Sequence, residues 1–270
     1  MTAASDRRSA VEDGPRPALA ASRTRLGLVL SLFVLAGLGW WWTAGQMRGM
    51  DDGPWTALGG LGWFVLVWLV MMAAMMFPSI APTVALYSRM TKGRIRLAPP
   101  MFTAGYLLTW TAAGVVAWMI AAATRWIPAD AVPWEQGGRV LASAALIAAG
   151  AYQLTPLKNV CLTRCRSPLG FLLGSWRDGP IGGLGMGAKL GGWCVGCCWA
   201  LMLALFALGI MSIAWMAFVA ALIAIEKILP WRAVANYGIA VVLVTLGVLV
   251  LVAPAAIPGL TIPAGQTMVM

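Results

Sequence analysis

Cysteine and methionine sulfur is the chemistry this sequence offers: it holds five cysteines, 16 methionines and no histidine. Cys194, Cys197 and Cys198 lie in "GGWCVGCCWALM". On a helix, steps of three and four residues gather these thiols into one cluster, and Met202 extends the stripe by a turn. Soft sulfur ligands suit Cu(I). The motif lacks the histidine of a c-type haem attachment and the second Cys or His pair of a zinc finger. The alternative is packing of three small apolar cysteines between helices.

A second sulfur motif is "MMAAMMFPS". Met71, Met72, Met75 and Met76 fall on two adjacent ridges of one helix, and Ala73 and Ala74 leave room for a neighbouring helix. Neutral thioethers suit Cu(I) and do little for Zn, Mg or Ca; apolar filling is again the alternative. Cys161 and Cys165, four apart in "YQLTPLKNVCLTRC", form a two-thiol pair if helical. Lys158, Arg164 and Arg166 around them favour thiolates. Glu226 in "IEKILP" is a carboxylate in an apolar stretch, a costly placement that marks either function or an interfacial pair with Lys227 or Arg232. Gly183, Gly187 and Gly191 are spaced by four, either a face for close helix contact or a flexible entry to the cysteine helix. No Gly-Lys-Ser/Thr follows them, so a phosphate loop is excluded.

The elements that must position these groups are membrane helices. The 270 residues are 61% hydrophobic and 10% charged, against about 25% charged in soluble domains. Apolar runs recur along the whole chain, which predicts an all-α polytopic transmembrane helix bundle. About seven spans are expected, near Leu26–Thr43, Leu58–Pro82, Met101–Thr124, Val140–Thr155, Gly192–Met211, Ile213–Leu229 and Val234–Val252. Pro78 and Pro82 should kink or end the second. The net charge of +10 does not argue for nucleic acid: its Lys and Arg lie between apolar runs, where they set topology and meet lipid headgroups. Basic loops alternate with neutral ones, which puts the N-terminus in the cytosol and the C-terminus outside.

Residues 1–23 read as a disordered cytosolic tail, 24–254 as a transmembrane metal-binding domain, and 255–270 as an external C-terminal tail. The tail holds Asp6, Glu12 and Asp13 and the next apolar run ends in Trp40, Trp41 and Trp42, unlike a cleaved signal peptide. In this topology Met71–Met76, Cys194–Cys198 and Glu226 share the cytosolic half of the bilayer. The cysteines enter at a helix N-terminus on the reducing side, where free thiols are expected and the thiolate, the metal-binding form, is favoured.

These pieces resemble a known family, the bacterial predicted metal-binding integral membrane proteins called domain of unknown function 2182. The segments that carry the resemblance are "MMAAMMFPS", "YQLTPLKNVCLTRCRSPLGFLL", "DGPIGGLGMGAKLGGWCVGCCWALM" and "IEKILP", in the family's order, from about Trp63 to Pro254. The resemblance implies metal binding by Met71, Met72, Met75, Met76, Cys194, Cys197 and Cys198, with Cys161, Cys165 and Glu226 as accessory positions. Family members often carry His where this chain has Leu190, so its site is softer.

The expectation is an integral protein of the bacterial cytoplasmic (inner) membrane that binds Cu(I) for copper handling, delivery or transport. Its partners are the lipid bilayer and a metallochaperone or metal-receiving protein. With no ATP-binding or hydrolytic motif, active pumping by this chain alone is not expected, and the leading reading is a binding protein, not an enzyme. Two rivals stand: a membrane thiol–disulfide electron carrier using the Cys cluster, and a non-catalytic assembly subunit.

Overall fold

The computed structural model describes residues 16–47, 60–91, 97–124, 137–208 and 212–254, and in the first stretch the side chains from Leu26 to Gln46. They form helices α1 (Arg16–Met47), α2 (Leu61–Met90), α3 (Ala98–Thr124), α4 (Arg139–Gln153), α5 (Pro156–Arg166), α6 (Pro168–Ser175), α7 (Gly179–Leu208), α8 (Ile213–Ile228) and α9 (Arg232–Val252). No strand occurs among the described residues. The described residues are all-helical apart from short turns and caps.

Among the described residues, five helices are long and apolar enough to cross a membrane: Leu26–Gln46, Leu61–Met90, Ala98–Ala123, Gly179–Leu208 and Arg232–Val252. The pair α4–α5, bent by 67°, brings the number to six if it is one span. The remaining segment expected to span, Ile213–Leu229, forms the 16-residue α8, shorter than the about 20 residues a crossing needs.

Helix boundaries differ from the sequence reading in four places. First, α1 begins at Arg16, inside the stretch that composition assigns to a disordered tail; residues 1–15 and 255–270 lie outside the described residues. Second, α2 continues through Pro78 and Pro82 to Met90. Its neighbours hold the two prolines inside a helix, and Ser79 Oγ donates to the Met76 carbonyl within the same stretch (2.7 Å).

Third, and of most consequence, α7 starts at Gly179 rather than near Gly192. Glycine is a poor helix former, but here its missing side chain is what packs. A Cβ at Gly187 would lie 1.8 Å from the Phe102 carbonyl oxygen of α3, and one at Gly105 of α3 would lie 2.0 Å from the Leu184 carbonyl oxygen of α7. Gly183 faces Tyr87 and Ala98, and Gly191 faces Thr109 and Tyr106, in the same way. The glycine stripe is therefore a close-contact helix face, not a flexible entry. Fourth, α4 stops where Pro156 cannot donate a backbone hydrogen bond. Thr155 caps the new helix, its Oγ1 accepting from Lys158 N (3.3 Å). This bend turns Lys158 into the core, where it is fully buried.

α3, α4, α5 and α8 pack against α7, and α1 lies on α2. Ala74 of α2 is buried, and a Cβ added to Gly39 of α1 would come within 3.0 Å of it. Gly114 of α3 makes room for the Trp68 ring, whose Nε1 donates to the Trp110 carbonyl (2.8 Å). α9 lies along α4, with Gly150 and Gly247 at the contact.

Candidate metal centre

The sulfur atoms of Cys165, Cys194 and Cys197 all lie within 4.8 Å of one another. Cys194 and Cys197 come from one face of α7, and Cys165 from α5. Cys197 Sγ donates to Cys165 Sγ at 3.8 Å and lies 3.4 Å from Cys198 Sγ. Cys194, Cys197 and Cys198 are buried and Cys165 is partly so; all five cysteines are free thiols. The spacings exceed the about 2.05 Å of a disulfide. Cys161, one turn before Cys165, borders the cluster: a Cβ at Gly196 would lie 2.9 Å from its sulfur. Tyr152 pins α7 at this level by donating its hydroxyl to the Gly196 carbonyl (2.7 Å).

Cys194 Sγ accepts two hydrogen bonds, from the Tyr106 hydroxyl of α3 (3.0 Å) and from Lys227 Nζ of α8 (3.3 Å). Lys227 also donates to Ser79 Oγ of α2 (3.0 Å). An ammonium in an apolar bundle requires compensating charge or hydrogen bonds. Here its partners are one sulfur and one hydroxyl, so it provides positive charge at the rim of the sulfur cluster. This arrangement replaces the helix N-terminus inferred from sequence. With α7 beginning at Gly179, Cys194 lies fifteen residues inside the helix, beyond the first turn where the helix dipole acts.

Glu226 and Lys227 are consecutive, so on α8 they point about 100° apart. Glu226 goes to Lys158: Nζ to Oε1 is 2.6 Å, with both side chains almost wholly buried. It pairs with neither Lys227 nor Arg232, the partners an interfacial position would give it. Arg166, next to Cys165, donates to the Glu226 carbonyl (3.0 Å) and to the Leu229 carbonyl. Arg232 Nη1 donates to Thr163 Oγ1 (2.9 Å). α5 is thereby clamped to the end of α8 and the start of α9, and the clamp presents Cys165 to α7. Glu226 has one oxygen committed to Lys158 and acts in this clamp.

Met71, Met72, Met75 and Met76 are all buried in the core that also holds the cysteines. Their link to the centre runs through Ser79, which donates to the Met76 carbonyl and accepts from Lys227. Met202 is buried one turn beyond Cys198.

The donor set fits a soft ion. With a metal–sulfur distance of about 2.3 Å, as for zinc thiolates, sulfurs stand about 4.0 Å apart in a trigonal site and about 4.6 Å apart in a linear one. Both lie within the observed spread. Thiolates holding such an ion would leave the site anionic, and the Lys227 ammonium would offset that charge. Sequence reasoning missed Tyr106, Ser79 and the role of Lys227. Ser79 stood inside the quoted methionine motif, and Lys227 was a cation in an apolar stretch; Tyr106 carried no signal.

A family model described as PpoB2, copper chaperone, matches residues 65–250. Neither a curated protein nor a solved structure matches the chain.

Proposed function

The chain belongs to the PpoB2 copper chaperone family, and from that premise we propose that it carries Cu(I) in the bacterial inner membrane and hands it to a partner protein. Cys165, Cys194 and Cys197 hold the ion, with Cys198 and Cys161 beside them. The observation that carries this reading is the convergence of three thiols from two helices within 4.8 Å, with a lysine ammonium on Cys194. Binding releases thiol protons, and Lys227 stabilises the anionic copper–thiolate group. Met71, Met72, Met75 and Met76 form a weaker, exchangeable relay, because neutral thioethers release the ion more readily than thiolates. The ion changes ligands and no covalent bond of the protein is made or broken, so the carrier is not an enzyme.

The charge pattern of the loops supports a cytosolic N-terminus and an external C-terminus. The cysteine centre then opens toward the reducing cytosol, where Cu(I) and free thiols persist. The test is elemental analysis of protein purified under reducing conditions. Wild type should retain copper, and Cys194→Ser/Cys197→Ser/Cys198→Ser should lose it. Full copper in the variant, with the protein folded, contradicts the proposal.

A further inference from the structure

A cavity of about 460 Å³ lies between α6 and the first half of α7, away from the sulfur centre. Its walls include Ser175, Trp176, Arg177, Met186 and Lys189. Gly185 opens it: a Cβ there would touch Arg177 Nη1 at 3.8 Å, so the guanidinium lies over this glycine. Lys189 follows Gly185 by four residues, on the same face of α7. Two cations thus share one concave surface. Among the described residues the salt bridge is Lys158–Glu226, and neither Arg177 nor Lys189 has a carboxylate. The nearby Asp178 turns to Trp176, whose Nε1 donates to its Oδ1 (3.0 Å).

Depth adds a second constraint. α7 has 30 residues, about 45 Å at 1.5 Å per residue, against a hydrocarbon core of about 30 Å. Lys189 is its one charged residue, and the nineteen residues after it, Leu190–Leu208, carry no charge. Seating the apolar part in the core leaves about ten N-terminal residues at headgroup level. The cavity opens there. Beside it the short helix α6 buries Phe171 and Leu172 and exposes Leu169 and Leu173, an apolar strip at the same level.

We propose that this cavity binds the phosphate group of an anionic phospholipid, with Arg177 and Lys189 on the phosphate and an acyl chain along Leu169 and Leu173. The chemistry shared with free phosphate is the phosphate anion, and the apolar strip favours the lipid as its source. The inference is independent of copper binding.

The full-length protein in detergent would be titrated with phosphatidylglycerol, with phosphatidylcholine of the same chains, and with inorganic phosphate. Bound molecules would be counted by native mass spectrometry, wild type beside Arg177→Gln, Lys189→Gln and the double variant. Both side chains are exposed, so the variants should fold and keep their copper. Wild type should hold one phosphatidylglycerol more tightly than the other two ligands. The double variant should lose about tenfold or more in its affinity, the scale of two basic residues at an anionic headgroup, and each single variant a part of this. Equal retention in the double variant, or equal binding of phosphatidylcholine, overturns the proposal. Inorganic phosphate binding as tightly as the lipid overturns the lipid as the occupant.

Discussion

The cysteine centre draws its sulfurs from two helices and its hydrogen-bond donors from two more, whereas the methionine ridge belongs to α2 alone. At the centre, Tyr106 of α3 and Lys227 of α8 both aim at Cys194, and a buried ion pair braces the helix that brings Cys165. At the ridge, the four methionines are buried in the core and Ala74 lies against Gly39. Desolvating charged and polar groups is costly, and apolar packing gains nothing from it. Polar groups are directed at sulfur in the first region, and no such donor is seen at the four ridge methionine sulfurs among the described residues. Under the proposed function, tight binding belongs to the first region and exchange to the second.

The largest effect should come from the centre. Cys194→Ser should remove most retained copper, and wild-type affinity should fall as pH falls, because protons compete for the thiolates that bind the ion. Competition with a Cu(I) chelator across a pH series reads both; an affinity that does not change with pH would argue against thiolate ligands. Next comes the brace. Glu226→Leu should destabilise the protein by about 3–5 kcal/mol by leaving Lys158 unpaired, and Lys158→Met in the same chain should restore much of it. Denaturant titration measures this, and a single variant as stable as wild type would mean that the pair does not hold α5.

Lys227→Met should weaken copper binding several-fold, a smaller effect than loss of a ligand, while the stoichiometry stays that of wild type. The chelator assay decides, and an unchanged affinity removes Lys227 from the centre. The smallest effect belongs to the ridge. Replacing Met71, Met72, Met75 and Met76 by Leu keeps volume and apolarity, at a cost below about 1.5 kcal/mol per site. Copper content should stay at the wild-type level and release to the chelator should slow. If release matches wild type, the ridge is packing only.

Local patterns were legible in the sequence, and long-range ones were not. The spacing of Cys194, Cys197 and Cys198 placed them on one helix face, and the step of four between Gly183, Gly187 and Gly191 offered a close helix contact as one of two readings. The start of α7 was hidden, because a glycine-rich stretch has poor helix propensity and only the backbone of α3 makes it favourable. Cys165 was legible as half of a pair with Cys161, yet its place beside Cys197 depends on the bend at Pro156 and the clamp through Arg166. Glu226 showed as costly, but its partner lies 68 residues away in sequence at Lys158, beyond any local rule. Its neighbour Lys227, read only as a candidate partner for Glu226, turns to sulfur because successive helix residues face different ways.

Under the proposed function, Cys165 from α5 completes a sulfur site built on α7. Copper K-edge X-ray absorption of the reduced, copper-loaded protein tests it directly. The spectrum should show Cu(I) with about three sulfurs at about 2.3 Å, and one sulfur fewer in Cys165→Ser. Nitrogen or oxygen ligands in wild type, or a spectrum that Cys165→Ser leaves unchanged, would contradict it.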